Sequence, residues 1–284
     1  MQLATIMLAL ASAVVATVTA TPAPRVGDAF QINTDRETEE HGNRNDSPQS
    51  TSTDRDSYVE RVAELRRDGV VLEYDLPASA SADDRASTWQ FPFRVLKTPD
   101  GTLQLLNASE LAGRVDRWLK AAGMPRAVCG KLIFTWNAFR IDCDPQSTIR
   151  WLAAVALPDN LVVDNPFTDP DARAPVTLRQ VGEDELLATL QVYPAAIRRQ
   201  RAETDVGVAE LMHKVLTIDA ALKAHESETV TGTITVTFYR DSAGRVSRRT
   251  RVRTVQIAWP SGRVDTQTVT ETLTRTPLST ASKT

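Results

Sequence analysis

Four sets of residues have types and spacings that could do chemistry. They are Cys129 and Cys143; His41, His213 and His225; Asp159, Asp164, Asp169 and Asp171; and Arg245, Arg249, Arg251 and Arg253. The two cysteines are the only ones in the chain. A zinc centre takes about four ligands, and no histidine lies near either cysteine in sequence. Redox pairs favour Cys-x-x-Cys, a spacing these residues lack. In an exported chain the default is a structural disulfide. The stretch "CGKLIFTWNAFRIDC" supports it, because the cysteines are equidistant from Trp136. A hairpin centred there sets Phe134 opposite Ala138, Ile133 opposite Phe139, Leu132 opposite Arg140 and Cys129 opposite Cys143. Asn137 falls where the left-handed conformation is needed and tolerates it well. Closing a loop of about 15 residues constrains the unfolded chain by about 3 kcal/mol.

The histidines gather no obvious partners. On one helix His213 and His225 would point about 120° apart. No His-Glu-x-x-His, Gly-x-Ser-x-Gly, phosphate-binding loop or dinucleotide fingerprint occurs, which argues against common hydrolases and nucleotide enzymes. The sequence therefore predicts no catalytic residue, no cofactor and no metal site. The four aspartates lack the glycine and the twelfth-position glutamate of a calcium loop, and Asp or Asn before Pro is ordinary turn chemistry.

Four arginines of "RVSRRTRVRT" share one parity, so an unbulged strand would array Arg245, Arg249, Arg251 and Arg253 as a basic stripe. Such a stripe suits an anionic envelope partner: a lipid headgroup, a polysaccharide or an acidic protein. The competing reading is a solvated strand face beside the acidic end of the chain, where cross-strand charges pair. That end is real: 11 acids stand against 6 arginines between Asp28 and Asp68, and 8 arginines against 4 acids between Glu228 and Arg275. A net charge of −3 in an exported chain excludes nucleic acid as the natural partner. Asn45 and Asn107 head glycosylation acceptor triplets.

The elements that must position these residues can be read from periodicity. Leu3–Val18 is an uncharged apolar run followed by small residues and shorter than the roughly 20 residues that span a bilayer; residues 1–20 read as a signal peptide cut after Ala20. This predicts a periplasmic or secreted protein with no transmembrane segment after cleavage. "RVGDAFQINTDRE" alternates as a strand does, Thr38–Ser57 reads as a long polar loop, and "YVERVAEL" and "VVLEYDLP" form a hairpin. Pro92 places the "WQFPFRVL" strand at an edge or bulge, and Trp89, Phe91 and Phe93 alternate onto one apolar face. "NASELAGRVDRWLKAAG" is a helix with Asn107 and Glu110 as a capping box, and a second helix ends at Pro158. Helical period dominates Glu183–His225, with breaks at Pro194 and near Thr204–Gly207. "AIRRQRAE" reads there as a wet helix face, and Val208, Met212 and Val215 belong to an apolar face in need of a partner. Three threonine-rich strands close the chain, the second with a predicted bulge near Thr254.

Residues 21–157 thus form an N-terminal part with strands and two helices, 158–175 a loop or linker, and 176–284 a helical region and C-terminal meander that can share one domain with the N-terminal part. The fold class is α+β, with antiparallel meanders at both ends forming a curved sheet and helices packed on one face. "RVGDAFQI", "VERVAEL" and "VVLEYDLP" resemble the strands of exported proteins of Gram-negative bacteria, in the manner of the half-barrels that carry lipids and lipoproteins. That resemblance implies an apolar cavity between sheet and helices. The leading functional expectation is a non-catalytic envelope protein holding an apolar or amphiphilic ligand there. The arginine stripe on an anionic partner and an enzyme of unrecognised type are the alternatives.

Overall fold

The computed structural model describes residues 23–43, 49–134, 138–158 and 161–278. Residues 1–20, expected to be a signal peptide, together with Asn45, Trp136 at the expected hairpin tip, and Asp159, lie outside the described residues. In chain order the elements are β1 (Ala29–Gly42), β2 (Ser50–Arg66), β3 (Gly69–Asp75), α1 (Ala82–Ser87), β4 (Phe93–Lys97), β5 (Leu103–Leu105) and α2 (Ala108–Ala121). The disulfide hairpin β6 (Leu132–Phe134) and β7 (Ala138–Arg140) precedes α3 (Ser147–Val155). Short strands β8 (Pro166–Phe167), β9 (Val176–Thr177) and β10 (Arg179–Gln180) lead to β11 (Glu185–Gln191). The chain then forms α4 (Pro194–Leu211) and α5 (Ile218–Ala224). It closes with β12 (Thr229–Arg240), β13 (Val246–Ala258) and β14 (Val264–Pro277).

Ten of these strands make one antiparallel sheet in the order β10-β11-β12-β13-β14-β1-β2-β3-β4-β5. The first and last long strands, β1 and β14, are neighbours, so the two terminal meanders join in a single α+β sheet. Their seam runs from Phe30 opposite Pro277 to Gly42 opposite Asp265. It is braced by Arg275 of β14, whose guanidinium lies 3.5 Å from the Phe30 ring centroid and donates to Glu60 of β2. Tyr74 of β3 donates to the same carboxylate at 2.8 Å.

One face of the sheet is covered, and its core falls into two clusters. Phe30, Ile32, Tyr58, Tyr74 and Phe93 pack against Leu111 and Val115 of α2 and Leu152 of α3. Leu186, Leu190, Ile234, Val236 and Phe238 pack with Ile197 of α4. Threonines fill the opposite face of β12, at Thr231, Thr233, Thr235 and Thr237, where the alternation leaves them exposed or half-buried.

The disulfide links Cys129 to Cys143, and the hairpin has the register read from its symmetry, Leu132 with Arg140 and Ile133 with Phe139. Trp89 and Phe93 are buried and Phe91 packs on the same core. Pro92 precedes β4, which pairs on both sides, so that strand is interior and not at an edge. Asn107 departs from the predicted capping box: its Oδ1 accepts from the Arg94 amide, and its Nδ2 donates to the Pro92 carbonyl and to Glu110.

Four expectations are overturned. The described parts of Thr38–Ser57 are strand, because β1 is held between β14 and β2 and its polar side chains find cross-strand partners such as Asp35 with Arg55. Residues Glu185–Gln191 are strand and not helix, with Leu186, Ala188 and Leu190 inward; the outward Leu187 had blurred the alternation. Helix α4 starts at Pro194, a favoured first-turn position, and runs unbroken through Thr204–Gly207. No bulge interrupts β13 near Thr254: its pairing with β14 is continuous from Arg248 to Ala258. The parity change in the sequence has a different cause, described next.

Candidate functional site

Along β13 the inward positions are occupied by Arg249, Arg251, Arg253, Val255 and Ile257. The three arginines stand in rows with core residues: Phe238 and Leu273 flank Arg249, Val236 and the carboxylate Glu271 flank Arg251, and Ile234 and Val269 flank Arg253. Charge therefore replaces hydrocarbon at core-facing positions, and Val252 faces outward. This is what made the apolar pattern change parity.

A buried guanidinium needs charged partners, and the 164–173 loop brings them. Arg251 holds Asp169 with two hydrogen bonds, of 2.8 and 2.9 Å, and reaches Asp171 at 2.7 Å and Glu271 at 3.1 Å. Arg253 donates to Asp171 at 2.7 Å, to Gln200 of α4 at 3.1 Å and to Gln267 of β14 at 3.4 Å. Gln200 closes the ring by donating to Asp171 at 2.6 Å. Two sets that the sequence presented separately, aspartates and arginines, thus meet in one network. Burial pushes the Asp171 carboxyl up, but the hydrogen bond from Arg251 and the charges of Arg253 and Arg251 outweigh it and hold it below the usual range. Burial likewise pushes Arg251 down, and Asp169, Asp171 and Glu271 more than restore it.

Arg249 donates to the Ala154 carbonyl in the last turn of α3 at 3.2 Å and is pushed down chiefly by burial. Arg245 precedes β13, pairs with Asp241 and lies 5.6 Å from the Phe30 ring centroid. The predicted four-arginine stripe consequently lies on the covered face or in the preceding turn, with its charges directed at partners inside the molecule.

Beside this network a cleft of about 600 Å³ opens between α4, α5 and the sheet. Its helix wall carries Ile197, Gln200, Arg201 and Thr204; its sheet wall carries Arg253, Val255 and Ile257, with Glu40, Asp265 and Gln267 beyond. Trp259 and Arg263 close one end. The guanidinium groups of Arg201 and Arg263 lie 5.6 and 4.7 Å from the Trp259 ring centroid, within cation–π range. Arg263 is also paired with Asp265.

His225, at the C-terminal end of α5, is built into the cleft wall. Its Nδ1 is 2.8 Å from Oε1 of Glu228, and its Nε2 is 2.8 Å from Oδ2 of Asp205 on α4. Glu228 also accepts from Arg201 at 3.2 Å, and its carbonyl accepts from Arg198 at 2.7 Å. Both imidazole nitrogens are thus engaged by carboxylates, an arrangement that ties α4, α5 and the start of β12 together. The Thr204 hydroxyl donates to the Gln200 carbonyl and not to His225. His41 lines the cleft at its β1 side, whereas His213 is exposed beyond the end of α4. Among the described residues no group of three or more His, Cys, Asp or Glu side chains is arranged to hold a metal ion.

Sequence reasoning did not find the Asp205–His225–Glu228 cluster. Its signal was present as His225 and Glu228 three apart and as Arg201, Thr204 and Asp205 at helical spacing, but "AIRRQRAE" read as a wet face. Gln200 and Arg201 instead face the sheet across the cleft.

No protein-family model and no curated protein sequence matches this chain. Among solved structures it is similar to lipovitellin, in a structure described as showing lipid–protein interactions, at 8% identity and a TM-score of 0.37. That likeness covers 92% of this chain and 26% of the other, so the chain spans about a quarter of the lipovitellin it matches. It is also similar to an outer membrane channel from Pseudomonas putida F1, at 5% identity and a TM-score of 0.21, covering 93% of this chain and 100% of that one. Both likenesses are too loose to carry a function.

Proposed function

We propose that this is an exported, non-catalytic envelope protein, periplasmic or secreted, that holds an amphiphilic ligand in the cleft between α4, α5 and the sheet. The carrying observation is the composition of the cleft: Ile197, Val255, Ile257 and Trp259 supply hydrocarbon, and Arg201, Glu228, Arg263 and Asp265 supply charge around it. A purely apolar ligand would leave those charges desolvated without compensation. Its size suits a small molecule, since ligand pockets run from about 300 to 1,000 Å³. The disulfide is consistent with an oxidising compartment outside the cytoplasm. Candidate helices long and apolar enough to cross a membrane are absent among the described residues.

The arginine stripe enters this reading as a wall and not as a docking surface. Arg253 lines the cleft while Arg251 fastens the 164–173 loop beside it.

Equilibrium binding of a single-chain amphiphile carrying a solvatochromic dye tests the reading. Wild-type protein should bind it saturably. Thr204→Trp, which fills the space between α4 and the sheet, should abolish binding while keeping the thermal transition. Absence of saturable binding to wild type, or unchanged binding to the folded variant, refutes it.

A further inference from the structure

Helix α4 carries the face that lines the cleft onward into the open. Ile197, Arg201, Thr204, Val208 and Met212 follow one another at helical spacing, which keeps them on one side of a helix. The first three line the cleft, whereas Val208 is 48% exposed and Met212 57%. Val215, in the turn to α5, is 98% exposed. Other exposed apolar side chains, such as Val26, Leu65 and Leu278, are scattered along the chain. Single ones need no account, but a group does.

The helix end holds this group outward. The His213 amide donates to the Glu210 carbonyl at 3.1 Å and the Lys214 amide to that of Ala209 at 2.8 Å, the two bonds that close a helix on a left-handed residue. His213 takes that left-handed position, at φ 56°, where glycine is usual. The residue after it commonly packs an apolar side chain back on the last turn. Here that residue is Lys214, which is exposed and has no side-chain partner among the described residues, and the apolar Val215 follows it. The disulfide hairpin adds cations at the same helix end: Arg140 pairs with Glu210 at 3.4 Å, and the amide of Leu132, next to Lys131, donates to Glu210 at 3.2 Å. Lys131, Arg140 and Lys214 thus outnumber Glu210 and Asp219 around an apolar point.

A protein partner would need a pocket shaped to Val215. A bilayer offers hydrocarbon to any apolar point that reaches it and anionic head groups to the cations beside that point. We propose that Val208, Met212, Val215 and Lys214 form a contact for an anionic lipid bilayer surface. Thr204, in the cleft, lies about 12 Å along α4 from Met212 at 1.5 Å per residue, so the contact sets the cleft close to a source of amphiphile. That purpose rests on the amphiphile reading given above; the contact itself rests on exposure and charge.

Flotation of the wild-type full chain with vesicles tests it, using phosphatidylethanolamine–phosphatidylglycerol vesicles and neutral phosphatidylcholine vesicles. Wild type should float with the anionic vesicles. Val215→Asp, at a side chain with almost no neighbours to disturb, should lower that partition at least about tenfold. Lys214→Glu should lower it at least about fivefold and leave the weaker partition on phosphatidylcholine unchanged. Failure of wild type to float with anionic vesicles, or a Val215→Asp protein that floats as wild type does, overturns the contact. A concentration-dependent dimer in sedimentation velocity that Val215→Asp dissolves, with no flotation, assigns the tip to a second copy of this chain and overturns it too. The soluble dye amphiphile keeps the two readings apart. Dye binding without flotation removes the contact and leaves the cleft reading standing, and flotation without dye binding removes the cleft reading alone.

Discussion

At the residue scale, Arg251, Arg253, Asp169 and Asp171 show how charge can sit at core positions of a strand. Each guanidinium is desolvated, and each is returned charged partners at hydrogen-bonding distance. Removing one member strands the others, so Asp171→Ala should cost about 3–5 kcal/mol in urea unfolding. Arg55→Ala, on the exposed pair with Asp35, should leave the midpoint near wild type. The sign of the pH dependence follows from the depressed Asp171 carboxyl. A lowered folded-state value adds stability that is present above the unfolded value of about 3.9 and is lost as pH falls through the folded one. Stability of wild type should therefore fall below about pH 4 more steeply than that of Asp171→Asn, as read from denaturant midpoints across pH. Parallel pH profiles would contradict this. These residues were visible in the sequence, but their meeting was not: the aspartates read as turn formers and the arginines as a stripe, and only the fold brings residues about eighty positions apart into contact.

At the element scale, the sequence was most informative where one face of an element is wet and the other dry. The helix at Ala108–Ala121, the cysteine hairpin and the three C-terminal strands were all legible from periodicity and turn residues. It failed where tertiary contact decided the outcome. The polar C-terminal end of β1 and polar N-terminal half of β2, the described parts of Thr38–Ser57, carry no alternation to read and owe their order to pairing with β14 and with each other, while β11 was hidden by an extra outward leucine. Two predictions belong here. A Cβ at Gly232 would come within 2.2 Å of the Thr254 carbonyl oxygen on the neighbouring strand. Gly232→Ala should then lower stability by about 1–3 kcal/mol through overpacking, measured by chemical unfolding; a neutral effect would mean the strands can part. The disulfide hairpin leans on α4, with Leu132 donating to Glu210 and packing near Gly207. Replacing both Cys129 and Cys143 by Ser should cost about 3 kcal/mol, and native protein should be two hydrogens lighter than its reduced form by mass spectrometry. Free thiols in protein taken from an oxidising compartment would contradict the link.

At the scale of the whole molecule, the sheet places its first and last long strands, β1 and β14, side by side and has three zones on its covered face. An apolar cluster lies under α2 and α3, another under α4, and the arginine–aspartate network fills the charged band of β13 and β14. The cleft opens at the edge of that band, where Asp205, His225 and Glu228 tie α4 to α5. There the helices are pinned by polar contacts around an open space. The central claim is that this space holds an amphiphile, and hydrogen–deuterium exchange with a saturating single-chain amphiphile tests it most directly. Ligand should slow exchange in Pro194–Leu211 and Ile218–Ala224 and leave Ala108–Ala121, on the other core, unchanged. Unaltered exchange in the first two helices at saturation, or protection concentrated in Ala108–Ala121, would contradict it.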